Sequence, residues 1–161
     1  MNKHFMVDIE TLSTAVNAAV LSIGAIEFDP LSGKILREFY HELDLSEQEN
    51  RHIDANTVQW WFKQCQENPA NFELMTKSDP RKEPVMFSLV RLGAFISGRD
   101  TNYAERAEGY EKLSIYACDP DFDMAILNDL YKDNGLPSPW RYSELRSVRT
   151  IRELIKIAGM E

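Results

Sequence analysis

Apolar and polar positions alternate along this chain with two different periods, and the change from one to the other marks out its elements. Near the N-terminus, Phe5-Met6-Val7-Asp8-Ile9-Glu10-Thr11 is an apolar run ending in acids, which predicts a buried strand. A second strand is predicted over Val20–Phe28 and a third over Ile35–Leu43, where Leu36, Phe39 and Leu43 are apolar among polar neighbours. Between them, Asp29-Pro30-Leu31-Ser32-Gly33-Lys34 carries the Pro and Gly of a tight connection, so the two strands form an antiparallel hairpin. The first strand lacks polar alternation over Phe5-Met6-Val7 and therefore belongs at the centre of the sheet.

The middle of the chain switches to helical spacing. Asp54 or Asn56 is placed to cap a helix carrying Val58, Trp60, Trp61 and Phe62, which fades near Asn68-Pro69, and Asn71–Met75 forms a short second helix. After the polar linker Ser78–Pro84, apolar residues at Val85, Met86, Leu89, Val90, Leu92, Ala94, Phe95 and Ile96 predict an amphipathic helix over Val85–Ser97. Arg99–Glu111 reads as a mobile polar loop. Leu113–Cys118 reads as a strand parallel to the first, because a helical crossover precedes it. A helix from Asp121 to Asp133 closes at Asn134-Gly135, a last strand covers Glu144–Val148, and a last helix covers Thr150–Ala158. The resulting expectation is one α/β domain over 1–161, with a mixed central sheet flanked by helices.

Composition narrows the function classes. At 161 residues the chain is long enough to bury roughly two thirds of its unfolded surface. No apolar run approaches the ~20 residues that span a bilayer, and Met1-Asn2-Lys3-His4 leads straight into a strand rather than a signal peptide. Two cysteines, Cys65 and Cys118, do not make a disulfide framework, so a reduced, cytoplasmic setting is expected, with Cys118 as inert core. A net charge of −8 argues against a non-specific DNA-coating protein, whose binding relies on Lys and Arg, but leaves room for an enzyme that meets nucleic acid through divalent ions.

The candidate chemistry is carboxylate chemistry. Strand alternation sends Asp8 and Glu10 to the same face, where they repel one another unless a cation lies between them; a pair of hydrated acids at a strand end is the plainer reading. Hard oxygen ligands of this kind suit Mg²⁺ or Mn²⁺. Asp119 and Asp121 sit where a helix N-terminus favours negative charge and read as caps. Asp123 lies within a turn of Ile126 and Leu127, at the seam of helix and sheet, where a carboxylate is costly unless paired or bound to metal. Trp60 and Trp61 can stack on bases, although adjacent helical positions diverge and one of them packs inward. Arg146, Arg149 and Arg152 form either a phosphate-facing strip or a solvated helix face. His4, His41 and His52 have no ligand spacing.

Val7-Asp8-Ile9-Glu10-Thr11 resembles the first motif of the DEDD (DnaQ-like) 3′–5′ exonucleases, and Phe122-Asp123-x-x-Ile126-Leu127 resembles their second. Val20-Leu21-Ser22-Ile23-Gly24-Ala25, Trp60-Trp61, and Pro139-Trp140-Arg141-Tyr142 leading to Val148-Arg149-Thr150 are similar to a phage and prophage branch, the exonuclease VIII-like or Rv2179c-like exoribonucleases. The resemblance implies a ribonuclease H-like fold and two-metal hydrolysis from the 3′ end of single-stranded RNA or DNA. By that resemblance Asp8 bridges two Mg²⁺ or Mn²⁺ ions, Glu10 binds one and orients the 3′ end, and Asp123 holds the second. Thr11 and Leu12 contact the terminal nucleotide through their backbone, with Trp61 and Phe122 beside it.

Two departures follow. Cys118-Asp119-Pro120-Asp121 replaces a Gly-containing turn, making it stiffer and more negative. The family's third motif, a His-x-x-x-x-Asp supplying base and ligand, is expected after the Arg149-Thr150 helix, whereas the last histidine here is His52. The sequence thus predicts either a slow exonuclease or an impaired, truncated relative that binds nucleic acid or protein, with no membrane association and with a homodimer admissible.

Overall fold

A computed structural model describes residues 2–76, 81–99 and 102–160. The strands are β1 (Lys3–Thr11), β2 (Val20–Phe28), β3 (Ile35–Glu42), β4 (Leu113–Ala117) and β5 (Leu145–Ser147). The helices are α1 (Ala55–Glu67), α2 (Asn71–Leu74), α3 (Val85–Ser97), α4 (Asp123–Asp133) and α5 (Val148–Ile157). β3, β4, α2 and α5 each end one residue earlier than expected, and three boundaries shift for a local reason. Ser147 accepts the Thr150 amide and so ends β5 and starts α5 together. Glu144 closes a 3-10 turn before β5 rather than joining the strand. α4 starts only at Asp123, and the expected caps Asp119 and Asp121 do not cap it: the N-cap position is Phe122, with no side-chain hydrogen bond. Of the linker Ser78–Pro84 and the loop Arg99–Glu111, residues 78–80 and 100–101 lie outside the described residues.

The five strands form one mixed sheet in the order β3-β2-β1-β4-β5. β1 is central, antiparallel to β2 and parallel to β4, as its apolar run requires. β2 and β3 form the expected hairpin, and β5 runs parallel to β4. Phe5, Val7 and Ile9 are buried on one face of β1, with Ile23, Leu89, Leu92, Ile96, Ile115, Ile126 and Leu127 in the same core, so α3 and α4 cover that face. Tyr131 is fully buried and donates its hydroxyl to the Leu89 carbonyl at 2.8 Å, tying α4 to α3. A second cluster of Leu12, Ala19, Leu21 and Trp61 packs α1 and α2 against the end of β1. α5 contributes no buried residue; Ile151, Leu154, Ile155 and Ile157 are all exposed. Cys118 is exposed as well, contrary to the expectation of core, because it lies one residue past β4, after the last buried position Ala117.

The other face of the sheet carries little cover. His4, Phe28 and Tyr116 stack there across three strands, with His4–Tyr116 ring centroids 6.0 Å apart. On the helical side, Glu27 is 2% exposed yet charged, because Lys3 Nζ and Arg37 Nε reach it at 2.8 and 2.6 Å. Burial works against its ionisation, but the hydrogen bonds and charges of Lys3 and Arg37 win and hold its pKa below the usual value. A carboxyl with a lowered native pKa contributes stability above its unfolded pKa and loses it as pH falls through the folded one. Glu27→Ala should therefore cost about 1–3 kcal/mol at neutral pH, seen as a Tm several degrees lower, and the deficit should narrow in acid when melting is followed against pH.

Candidate active site

The two parallel strands set the position of the site. β1 pairs with β4 only over Lys3–Met6, so its last residues outrun β4 and reach the carboxyl end of the sheet, where open α/β sheets bind ligands. Asp8 and Glu10 leave β1 on the face opposite Phe5, Val7 and Ile9, Asp8 exposed and Glu10 half-buried. Asp8 stands opposite Gly24, whose missing side chain leaves open space beside it. Asp123 arrives at the same end from the first turn of α4 and is itself buried. Its carboxylate accepts the Asp119 amide at 3.4 Å.

The three acids repel one another. Burial raises the pKa of Asp8. Burial also raises that of Glu10, and the charges of Asp8 and Asp123 push it further. Asp123 is raised by burial and by Asp8, against the opposing pull of the backbone amides around it. No cation among the described residues offsets these carboxylates. The expectation that the three converge within bridging reach needs correction: among the described residues, no three His, Cys, Asp or Glu side chains are gathered as a formed ion site.

Beside Glu10 lies a cleft of about 580 Å³ lined by Ile9, Thr11, Thr14, Asp54, Asn56, Thr57, Trp60, Trp61 and Phe122. Thr11, Trp61 and Phe122 thus fall where the sequence suggested, but Trp61 is 4% exposed and its indole N–H donates to the Thr11 carbonyl at 2.8 Å. The exposed ring is Trp60, at 50%, edge-on to Trp61 with centroids 5.1 Å apart. Trp61 is the inward-packing member of the pair, and stacking surface falls to Trp60. Leu12 does not reach the cleft: its amide donates to the Ala19 carbonyl, its carbonyl accepts the Asp54 amide, and its side chain is buried. Asp54 caps α1 by accepting the Thr57 amide, which places Thr57 and Asn56 on the cleft wall. Sequence reasoning took Asp54 as a cap only; nothing in its spacing marks it as a lining residue. On the other side of Asp8, Tyr40 lines a shallow furrow with Met6, Gly24 and Ile26, also without a sequence signal.

A family model for the Rv2179c-like 3′–5′ exoribonuclease domain matches residues 3–161. The chain belongs to that family. No curated protein sequence matches it. Among solved structures, exonuclease I, in a study of how processivity is achieved, aligns with a TM-score of 0.66 at 12% identity over 96% of this chain. E. coli exonuclease I bound to a dT13 oligonucleotide gives 0.65 at 12% identity over 97%. The zinc-bound E. coli exonuclease I complex with single-stranded DNA gives 0.66 at 10% over 96%. The chain spans 30% of the length of each of these proteins. At such identities the likeness establishes the fold, a ribonuclease H-like mixed sheet flanked by helices.

The raised carboxyls predict a pH dependence of opposite sign to that of Glu27. A raised native pKa means that the folded state binds more protons, so stability is lost as pH rises through the folded value. Asp123→Asn, and to a lesser degree Glu10→Gln, should raise the metal-free Tm by a few degrees at neutral pH. The gain should vanish below the ordinary carboxylate range, as read by calorimetric melting between acid and neutral pH.

Proposed function

We propose that this domain is a divalent-metal-dependent 3′–5′ exonuclease acting on single-stranded 3′ ends. The observation that carries this reading is the mutual repulsion of Asp8, Glu10 and Asp123 at the carboxyl end of β1, beside a cleft with an exposed tryptophan. The donor set fits a hard cation, since carboxylate oxygens with no internal counter-ion favour Mg²⁺ or Mn²⁺. When bound, such ions polarise a phosphodiester and acidify water. In this assignment Asp8 and Glu10, on one face of β1, and Asp123, in the first turn of α4, would hold the ions. Trp60 stacks on the terminal base, while Thr11 and Phe122 border its sugar. Family membership supports the exonuclease reading, and the exonuclease I–oligonucleotide complexes, similar in fold, make a single strand a natural occupant of the cleft.

Among the described residues His4, His41 and His52 bond Tyr116, Ser88 and Ser13 and none lines the cleft, so solvent hydroxide rather than one of these imidazoles would take the proton from the attacking water. This same arrangement favours a second reading, a catalytically impaired relative that binds nucleic acid or a protein.

Release of mononucleotides from 3′- and 5′-labelled single strands, RNA and DNA in parallel, separates the two. The exonuclease reading expects slow release from the 3′ end, faster at higher pH and with Mn²⁺ than with Mg²⁺. Asp8→Ala should reduce it by more than the roughly 10–100-fold that loss of an outer-shell partner costs. Millimolar Mn²⁺ should raise the Tm of the wild-type protein by mass action and leave that of Asp8→Ala nearly unmoved. Digestion that survives Asp8→Ala, or a Tm indifferent to Mn²⁺, would remove the carboxylates from the mechanism.

A further inference from the structure

A polyanion approaching this site meets a hostile field. Asp8 and Glu10 lie near the end of β1, and Asp119, Asp121 and Asp123 follow one another between β4 and the first turn of α4, in a protein with a net charge of −8. Binding a strand there needs cations close by, and many of the cations are already used. Arg37 serves Glu27, Arg106 forks onto Glu144 at 2.6 Å, and Arg51 serves Asp129 and Asp133.

α5 is different. Arg149, Arg152 and Lys156 fall within one third of the helix circumference and are all exposed, while Ile151, Leu154 and Ala158 lie on the far side and Val148 and Ile155 on one flank. The three cations span about 10 Å along the axis at 1.5 Å per residue. Glu153 shares their face, so the stripe keeps a net positive charge rather than a pure one. The stripe also begins at the acids. The Arg149 guanidinium meets the Asp119 carboxylate at 3.1 Å through one nitrogen, and its amide faces the Cys118 carbonyl at 3.4 Å. The Asp119 amide in turn faces the Asp123 carboxylate at 3.4 Å. Arg149 is 72% exposed, which leaves most of its five N–H donors to solvent.

We infer that the Arg149–Arg152–Lys156 face of α5 is a phosphate track, holding the single strand upstream of the scissile bond and delivering its 3′ end to Asp8, Glu10 and Asp123. This inference rests on the exonuclease reading for the direction of the strand. The contacts are to phosphates, so the track positions the strand without reading its sequence and serves RNA and DNA alike.

The test uses the whole chain and two variants, Arg152→Gln/Lys156→Gln and the charge reversal Arg152→Glu/Lys156→Glu. Lys34→Gln, in the distant β2–β3 turn, is the control for total charge. Anisotropy of fluorescein-labelled 12-nucleotide single strands in Ca²⁺ gives Kd across a salt series. Single strands give a slope of log K against log salt of about −0.7 per phosphate contact, so the neutralised double variant should lose about 1.4 from the slope. The reversal should weaken binding further, and Lys34→Gln should not change the slope. In Mn²⁺ turnover, KM for the 12-mer should rise at least fivefold while kcat holds, removing the advantage of a 12-mer over a dinucleotide. A wild-type slope in both variants, or an equal loss on the dinucleotide, overturns the track. Salt-dependent binding lost in these variants, with no turnover even in wild type, would overturn the exonuclease reading and leave a strand-binding α5 standing.

Discussion

Everything at the functional end of this domain depends on β1 outrunning β4. A central strand paired along its whole length on both sides has no free amides, and its residues serve the core. Here the parallel pairing stops at Met6, so the Asp8–Glu10 stretch of β1 runs on without β4 beside it, toward the end of the sheet where the first turn of α4 carries Asp123. The same geometry imposes the electrostatic cost, since a buried Asp123 acts on the half-buried Glu10 and no basic side chain among the described residues offsets it there. The repulsion is fixed by the fold, and a bound cation is the simplest way to relieve it.

The architecture was largely readable in the residues because its signals are local. The unbroken Phe5-Met6-Val7 run put β1 at the centre, the Asp29–Lys34 turn made β2 and β3 a hairpin, and the Asp54 cap opened α1; each appears as expected. Two-residue errors arose where backbone and side chain compete. At Asp119-Pro120-Asp121-Phe122, both Phe122 and Asp123 amides turn back to the Asp119 carbonyl, delaying the helix that the acids seemed to start. Ser147 decides the β5–α5 boundary through one hydrogen bond that no periodicity reveals.

The placing of the candidate acids was legible in part, and the shape around them was not. Period-two alternation placed Asp8 and Glu10 on one face, as observed, and seam position singled out Asp123. Which tryptophan faces solvent depends on where α1 lies relative to Thr11, a tertiary fact: Trp61 sends its indole N–H into the Thr11 carbonyl, and Trp60 takes the exposed place. Leu12 illustrates the same limit, because adjacency to Glu10 in sequence suggested contact with a nucleotide while both of its backbone groups are spent on Ala19 and Asp54. Tyr40 and Gly24 border Asp8 only because β2 and β3 pair in one particular register.

The division of charge explains how so acidic a chain can hold a stable frame around a strained site. Away from the acids, buried carboxylates are neutralised: Glu27 by Lys3 and Arg37, Glu144 by Arg106 and the Arg141 amide, with pKa values held down despite burial. At the acids the pKa values are pushed up instead. Frame and site therefore respond to pH in opposite directions: acid weakens the pairs that brace the sheet and helices, while higher pH increases the repulsion at the carboxyl end of β1. On the proposed metal-dependent reading a divalent cation would act on the second set alone, so its effect on stability would grow from acid to neutral pH as those carboxyls ionise. That coupling would follow from the carboxylates themselves.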